Sequence, residues 1–137
     1  MNADRLSAPS LLLGRILLSL IFLVSGFRKL FAYAATVGYM EKFGMPGMLL
    51  PLVIVFEIGG GLLLVAGLQT RIVAFAMAGF SLLAGVIFHY AVGDAGNMLH
   101  FWKNAAIAGG FLCLLAMGGG AWSADAMLQR TRFARKV

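Results

Sequence analysis

The sequence predicts an all-α polytopic membrane protein: an antiparallel four-helix transmembrane bundle with a short interfacial helix in the first loop and a basic C-terminal tail. Three observations carry that expectation. Of the 137 residues, 61% are hydrophobic and 12% charged, whereas a soluble domain is charged at about 25% of its positions. Four apolar stretches, about 11–31, 49–68, 72–92 and 100–117, each approach the ~20 residues needed to cross a ~30 Å hydrocarbon layer. The basic residues stand at the ends of those stretches, where they set topology and meet anionic lipid. That placement argues against nucleic acid as the partner of the +6 net charge. The length predicts one domain, 1–137, with no separate soluble unit.

The first span follows a short polar arm and is opened by Pro9 and Ser10. Arg15 lies about one turn inside, and Arg28 and Lys29 close the far end; both ends can snorkel. The cations after the apolar run favour a retained anchor over a cleaved signal. Ser25-Gly26 gives a small-residue surface suited to close helix approach. In the long connection Tyr33–Met48, Thr36–Phe43 reads as an interfacial helix, with Val37, Met40 and Phe43 on one side and Glu41 and Lys42 on the other. Gly44 is its expected stop, followed by a Met45-Pro46-Gly47 turn. Such a segment is expected to anchor at the interface or to cap the bundle as a lid.

Pro51 opens the second span, where a proline is tolerated in a first turn. Gln69-Thr70-Arg71 is a tight turn. The third span is dense in small residues (Ala74, Ala78, Gly79, Ser81, Ala84, Gly85), which permit close packing in lipid. It ends at His89-Tyr90, and 93–99 reads as a loop holding Asp94 and Asn97. The fourth span starts near His100, which places Lys103 and Asn104 in a first helical turn. Small-residue pairs Ala105/Gly109 and Ala106/Gly110 follow, then Gly118-Gly119-Gly120 and Trp122. Ser123 is expected to cap a tail helix rich in Arg130, Arg132, Arg135 and Lys136. The single cysteine, Cys113, excludes an intrachain disulfide and dithiol chemistry within the chain, and reads as a packing residue.

Counting cations fixes an expected orientation. With the N-terminus inside, Arg5, Arg15, Arg71, Arg130, Arg132, Arg135 and Lys136 are cytoplasmic, against Arg28, Lys29, Lys42 and Lys103 opposite. The positive-inside rule then favours both termini in the cytoplasm.

The most informative residue is Glu57, a lone carboxylate near the middle of the second span. An acid at that depth costs roughly 3 kcal/mol on insertion scales, so it faces a partner or a wet cavity. Threading the spans alternately brings Lys29, His89, His100, Lys103 and Asn104 to the same leaflet. Lys29 or Lys103 can lean ~6 Å down to Glu57, while Arg15 approaches from the other side at marginal reach. A cation in a first turn opposes the helix dipole, which favours a specific partner for Lys103. Two readings of Glu57 stay open: a closed ion pair with Arg15, Lys29 or Lys103, or a proton- or ligand-binding acid. His89 reads as a proton shuttle, a hydrogen-bond donor to a quinone carbonyl, or a satisfied interfacial histidine. No metal site is expected: His89, His100 and Met98 define no haem or copper geometry. Hydrolase, metalloprotease, phosphate-loop and dinucleotide motifs are absent, and Gly59-Gly60-Gly61 reads as a thin or flexible helical section beside Glu57.

These segments resemble one known family. Gly14-Arg15-Ile16-Leu17 with Ser25-Gly26-Phe27-Arg28-Lys29-Leu30 resembles the first span of the DoxX family of bacterial membrane proteins. Tyr39-Met40 to Gly44-Met45-Pro46, Phe56-Glu57-Ile58-Gly59-Gly60-Gly61, Gly67-Leu68-Gln69-Thr70-Arg71, Phe88-His89, Phe101-Trp102-Lys103-Asn104 and Trp122-Ser123-Ala124-Asp125 extend the likeness across roughly residues 10–128. The resemblance implies a four-helix protein of the bacterial inner (plasma) membrane. It implies an accessory or quinone-interacting subunit of a respiratory or redox membrane complex; whether the chain has an activity of its own stays open, with the balance against it and an oxidoreductase association the form it would take. The alternatives are a small-molecule or lipid-binding carrier and a purely structural membrane partner. No cofactor is evident from the residues; quinone is the one the resemblance brings in, and haem is disfavoured. The expected site residues are Glu57, Lys29, Lys103, Asn104, His89 and Arg15. The expected partners are the lipid bilayer and a second membrane protein or further copies of this chain, with no nucleic acid.

Overall fold

The computed structural model describes residues 3–135 of the backbone and side chains from Ser7 to Arg135. Arg5 and Lys136, counted above among the topology-setting cations, lie outside the described side chains. Six α-helices and no strands occur among the described residues: α1 (Ala3–Phe31), α2 (Tyr33–Lys42), α3 (Leu50–Ala66), α4 (Thr70–His89), α5 (Ala95–Met117) and α6 (Ala124–Ala134). A 3-10 turn at Gly47–Leu49 leads into α3. Four of these helices (α1, α3, α4, α5) are long and apolar enough to span a membrane, as expected.

The ends of the elements differ from the sequence expectation where capping decides. α1 runs through Pro9 from Ala3, because a proline loses its own donor without always ending a helix. α3 stops at Ala66, with Gly67 at φ 69° receiving the left-handed turn. There the N–H groups of Gly67 and Leu68 donate to the carbonyls of Leu64 and Leu63, closing the helix as a glycine C-cap does. α4 ends at His89, since Tyr90 is extended. α5 begins five residues earlier than expected. Asp94 is its N-cap and accepts the Asn97 N–H at 3.1 Å, satisfying a donor left over at every helix start. Lys103 and Asn104 consequently sit in the third turn of α5, and the expected conflict of Lys103 with the helix dipole does not arise.

α1 packs along α3 and α4 along α5, and the two pairs meet through α3–α4 and α1–α5. The core between them is built on Phe22, Leu64, Met77, Ala78 and Phe111. Phe22 meets Phe111 and Phe80 at ring-centroid distances of 5.5 and 6.2 Å. Glycines set the closeness of approach. A Cβ on Gly61 would stand 2.8 Å from Leu23 of α1, and one on Gly60 would stand 2.9 Å from the Met77 sulfur of α4. Gly60 and Gly61 therefore thin α3 to admit two neighbours, while Gly59 faces open space, and all three lie within the helix. Cys113, read above as a packing residue, is exposed on the surface of α5. Gly109 likewise faces open space, while Gly110 takes Leu18.

α2 lies against one end of the bundle. Met40 is buried with Leu50 and Ile54 of α3. Tyr39, Phe43 and Phe88 form an aromatic cluster with centroids 5.0–5.6 Å apart. Phe43 thus joins α2 to α4 while remaining largely exposed, and Glu41 and Lys42 are exposed as expected.

Candidate functional site

Glu57 is 3% exposed and is answered by Lys29. The Lys29 ammonium donates to both carboxylate oxygens at 2.7 Å and to Ser25 Oγ at 2.6 Å. The Ser25 hydroxyl in turn donates to Glu57 Oε1 at 3.3 Å. Ser25 and Lys29 are four residues apart on α1, so they share one face. Gly26 allows α3 onto that face: a Cβ there would stand 2.6 Å from Ile58 and 3.4 Å from Glu57 Cβ. A carboxylate in low dielectric is tolerated when a cation and further donors satisfy its lone pairs, and this triad supplies both.

The triad is not sealed. It lines a cavity of about 390 Å³ enclosed by α1, α3, α4 and α5 and roofed by α2. His89 and Asn104 face the same space, as do Thr36 and Tyr39 of the roof. Apolar side chains such as Phe22 and Phe80 complete the wall. The His89 Nδ1 is buried and makes no hydrogen bond among the described residues. Its ring stands 5.2 Å from that of His100. The Asn104 amide donates to the His100 carbonyl at 3.0 Å. An apolar chamber with a few convergent polar groups on one side is the usual form of a small-molecule site. Among the described residues no group of three or more His, Cys, Asp or Glu side chains stands together as a metal site.

Four of the expected site residues (Glu57, Lys29, His89 and Asn104) therefore line one chamber, and two do not. Lys103 is exposed and does not line it, because neighbours on a helix point about 100° apart and Asn104 takes the inward direction. Arg15 lies fourteen residues from Lys29 along α1, about 21 Å at 1.5 Å per residue. It pairs with groups at the opposite end of the bundle. Reasoning from sequence missed Ser25 as a bridge, although its spacing from Lys29 was a signal. It also missed Tyr39 and Thr36, whose places depend on how α2 folds back.

Arg15 organises a second polar cluster. It is fully buried, and its Nη2 donates to the Trp122 carbonyl at 2.8 Å. The guanidinium lies against Gly67, where any Cβ would collide with it. Asp125, at the start of α6, accepts the backbone N–H groups of Gln69 at 2.8 Å and Thr70 at 2.9 Å, and so caps α4 from 55 residues away. Its own N–H donates to the Gly67 carbonyl at 3.0 Å. Burial pushes the Asp125 carboxyl up, but the Thr70 and Gln69 donors and the nearby Arg15 charge outweigh it. The group stays below the ordinary carboxylate range. Ser123 caps α6 as expected, accepting the Ala126 N–H at 3.2 Å.

Comparison with known proteins bears on both clusters. The model of the DoxX family matches residues 10–90, a range that contains Arg15, Ser25, Lys29, Glu57, Gly67 and His89. Inner membrane protein YqjF of Escherichia coli (strain K12) is 44% identical over 126 residues, covering 92% of this chain and 97% of that protein. Inner membrane protein YphA of the same organism is 41% identical over 122 residues, covering 84% and 87%. No solved structure matches.

Proposed function

Because the chain belongs to the DoxX family, we propose that it is an inner-membrane accessory subunit of a redox complex that holds a quinone head group in the chamber beside Glu57. One observation carries this reading: an ion pair whose carboxylate is buried forms part of the wall of a chamber of about 390 Å³. A purely structural pair gains nothing from standing beside open space, since water or ligand there weakens it. A quinone ring suits the apolar walls, and its carbonyls suit the second amide N–H of Asn104 and the ring N–H of His89. Glu57 would give one of the two protons taken up when the quinone is reduced, or take one of the two released when the quinol is oxidised; water reaching the chamber would exchange the other, and a partner protein would supply or accept the two electrons. The names of both relatives support an inner-membrane location. The cations Arg71, Arg130, Arg132 and Arg135, all at the end that carries α6, support placing both termini in the cytoplasm.

The test is binding of a short-chain ubiquinone to the purified protein in lipid nanodiscs. Glu57→Gln is expected to weaken binding about tenfold, the loss of one charge-assisted interaction. An unchanged Kd overturns the proposal. The mostly apolar wall favours a second reading, a lipid carrier. Mass spectrometry then finds a phospholipid acyl chain in the chamber that short-chain ubiquinone does not displace.

A further inference from the structure

At the other end of the bundle lies a second concavity, unrelated to the Glu57 chamber. This groove of about 590 Å³ runs between the start of α4, the end of α5 and α6. Asp125, Leu128, Gln129 and Arg132 all line it. They follow the i, i+3, i+4, i+7 pattern, so α6 lays one face along the groove. The opposite wall includes Arg71, Ile72, Met117 and Gly118.

Its charges are unbalanced. Asp125 is the acidic side chain lining the groove, and both its oxygens are already occupied by the Gln69 and Thr70 N–H groups. Neither Arg71 nor Arg132 forms an ion pair among the described residues. Arg71 passes close over Gly118, where a Cβ would stand 3.3 Å from its Nε. Beside these two cations, Ile72, Met117 and Leu128 are 68%, 57% and 50% exposed. The spanning helices Thr70–His89 and Ala95–Met117 begin and end here, so the groove sits at the edge of the hydrocarbon layer. Cations at the rim with exposed apolar side chains beside them, at that depth, complement an amphiphile with an anionic head.

We infer that this groove binds one anionic phospholipid, its phosphate between Arg71 and Arg132 and its acyl chains against Ile72, Met117 and Leu128. Arginine suits a phosphate because its planar fork offers paired donors. The bound lipid bridges α4 to α6, and so ties the tail helix to the bundle through the headgroup.

The test is native mass spectrometry of the full chain from mild detergent, titrated with dioleoylphosphatidylglycerol or dioleoylphosphatidylcholine. One phosphatidylglycerol is expected to bind about tenfold more tightly than phosphatidylcholine, in line with two cations at the membrane surface. Arg71→Gln with Arg132→Gln should erase that preference. Gln129→Trp, which keeps both cations and fills the groove, should erase it too. Arg28→Gln, an exposed cation at the other end, should leave it intact. The inference fails if the double variant keeps the preference, if Gln129→Trp has no effect, or if Arg28→Gln reduces it equally. Displacement of the lipid by millimolar inorganic phosphate would also overturn it, by showing a free-phosphate site.

Discussion

The pairing of Glu57 with Lys29 was only partly legible in the sequence. Hydropathy exposed the acid, and the alternation of spans named two lysines within reach of it, Lys29 and Lys103, with Arg15 at marginal reach from the other side. Choosing among them needed the rotation of each helix. Ser25 and Gly26 fix it by bringing the face of Lys29 against α3. Removing one partner of a buried pair strands the other, at a cost of about 3 kcal/mol. Glu57→Gln is therefore expected to lower thermal stability by about that amount, and Glu57→Gln with Lys29→Met to restore most of it, as read by thermal unfolding in detergent. A structural role alone would move stability without moving quinone affinity. Asp125 makes a different prediction. Its folded pKa is depressed, so its contribution is present above the unfolded value of ~3.9 and is lost as pH falls through the lower folded value. Asp125→Asn should make the protein less stable at neutral pH. It should also flatten the loss on acidification, when melting temperature is followed from pH 7 down to pH ~3.

At the scale of elements, the spans were legible because a bilayer demands long apolar runs, while their ends were not. The start of α5 rests on a local cap, Asp94 with Asn97, in a stretch that reads from sequence as a loop. The start of α4 rests on Asp125, a contact no local pattern contains. The joint between α3 and α4 is correspondingly intolerant. Gly67→Ala combines a positive φ with a collision against Arg15, and should cost more than the ~1 kcal/mol of a left-handed alanine alone, measured as a fall in melting temperature. The roof helix is held by aromatic contacts worth ~0.5–1.5 kcal/mol each. Phe88→Ala, which removes two of them, should raise amide hydrogen exchange across 33–42 while leaving α3 protected.

On the scale of the whole molecule, the bundle separates two polar regions along its length: an ion pair beside a chamber at one end, and an arginine-rich groove at the other. The four-span architecture and the resemblance to a family could be read from residues. The chamber could not, because it is a volume left between four helices and α2, and its size depends on packing that no single segment encodes. The proposed orientation makes a direct prediction. In a Cys113→Ala background, Arg135→Cys should react with an impermeant maleimide only after the membrane is opened, and Lys42→Cys should react in intact spheroplasts.

The contact between Arg15 and Trp122 also bears on biosynthesis. Chains emerge N-terminus first, so the first helix enters the bilayer with its guanidinium lacking an acceptor, and the carbonyl that receives it arrives more than 100 residues later. Until then the charge has to stay near the lipid headgroups, holding the first helix shallow. Completion of the tail is thus what lets that helix settle. A chain ending at Gly120 should keep all four spans yet be degraded faster than the full-length protein in a pulse-chase experiment, and Arg15→Met should slow the loss of the shortened form.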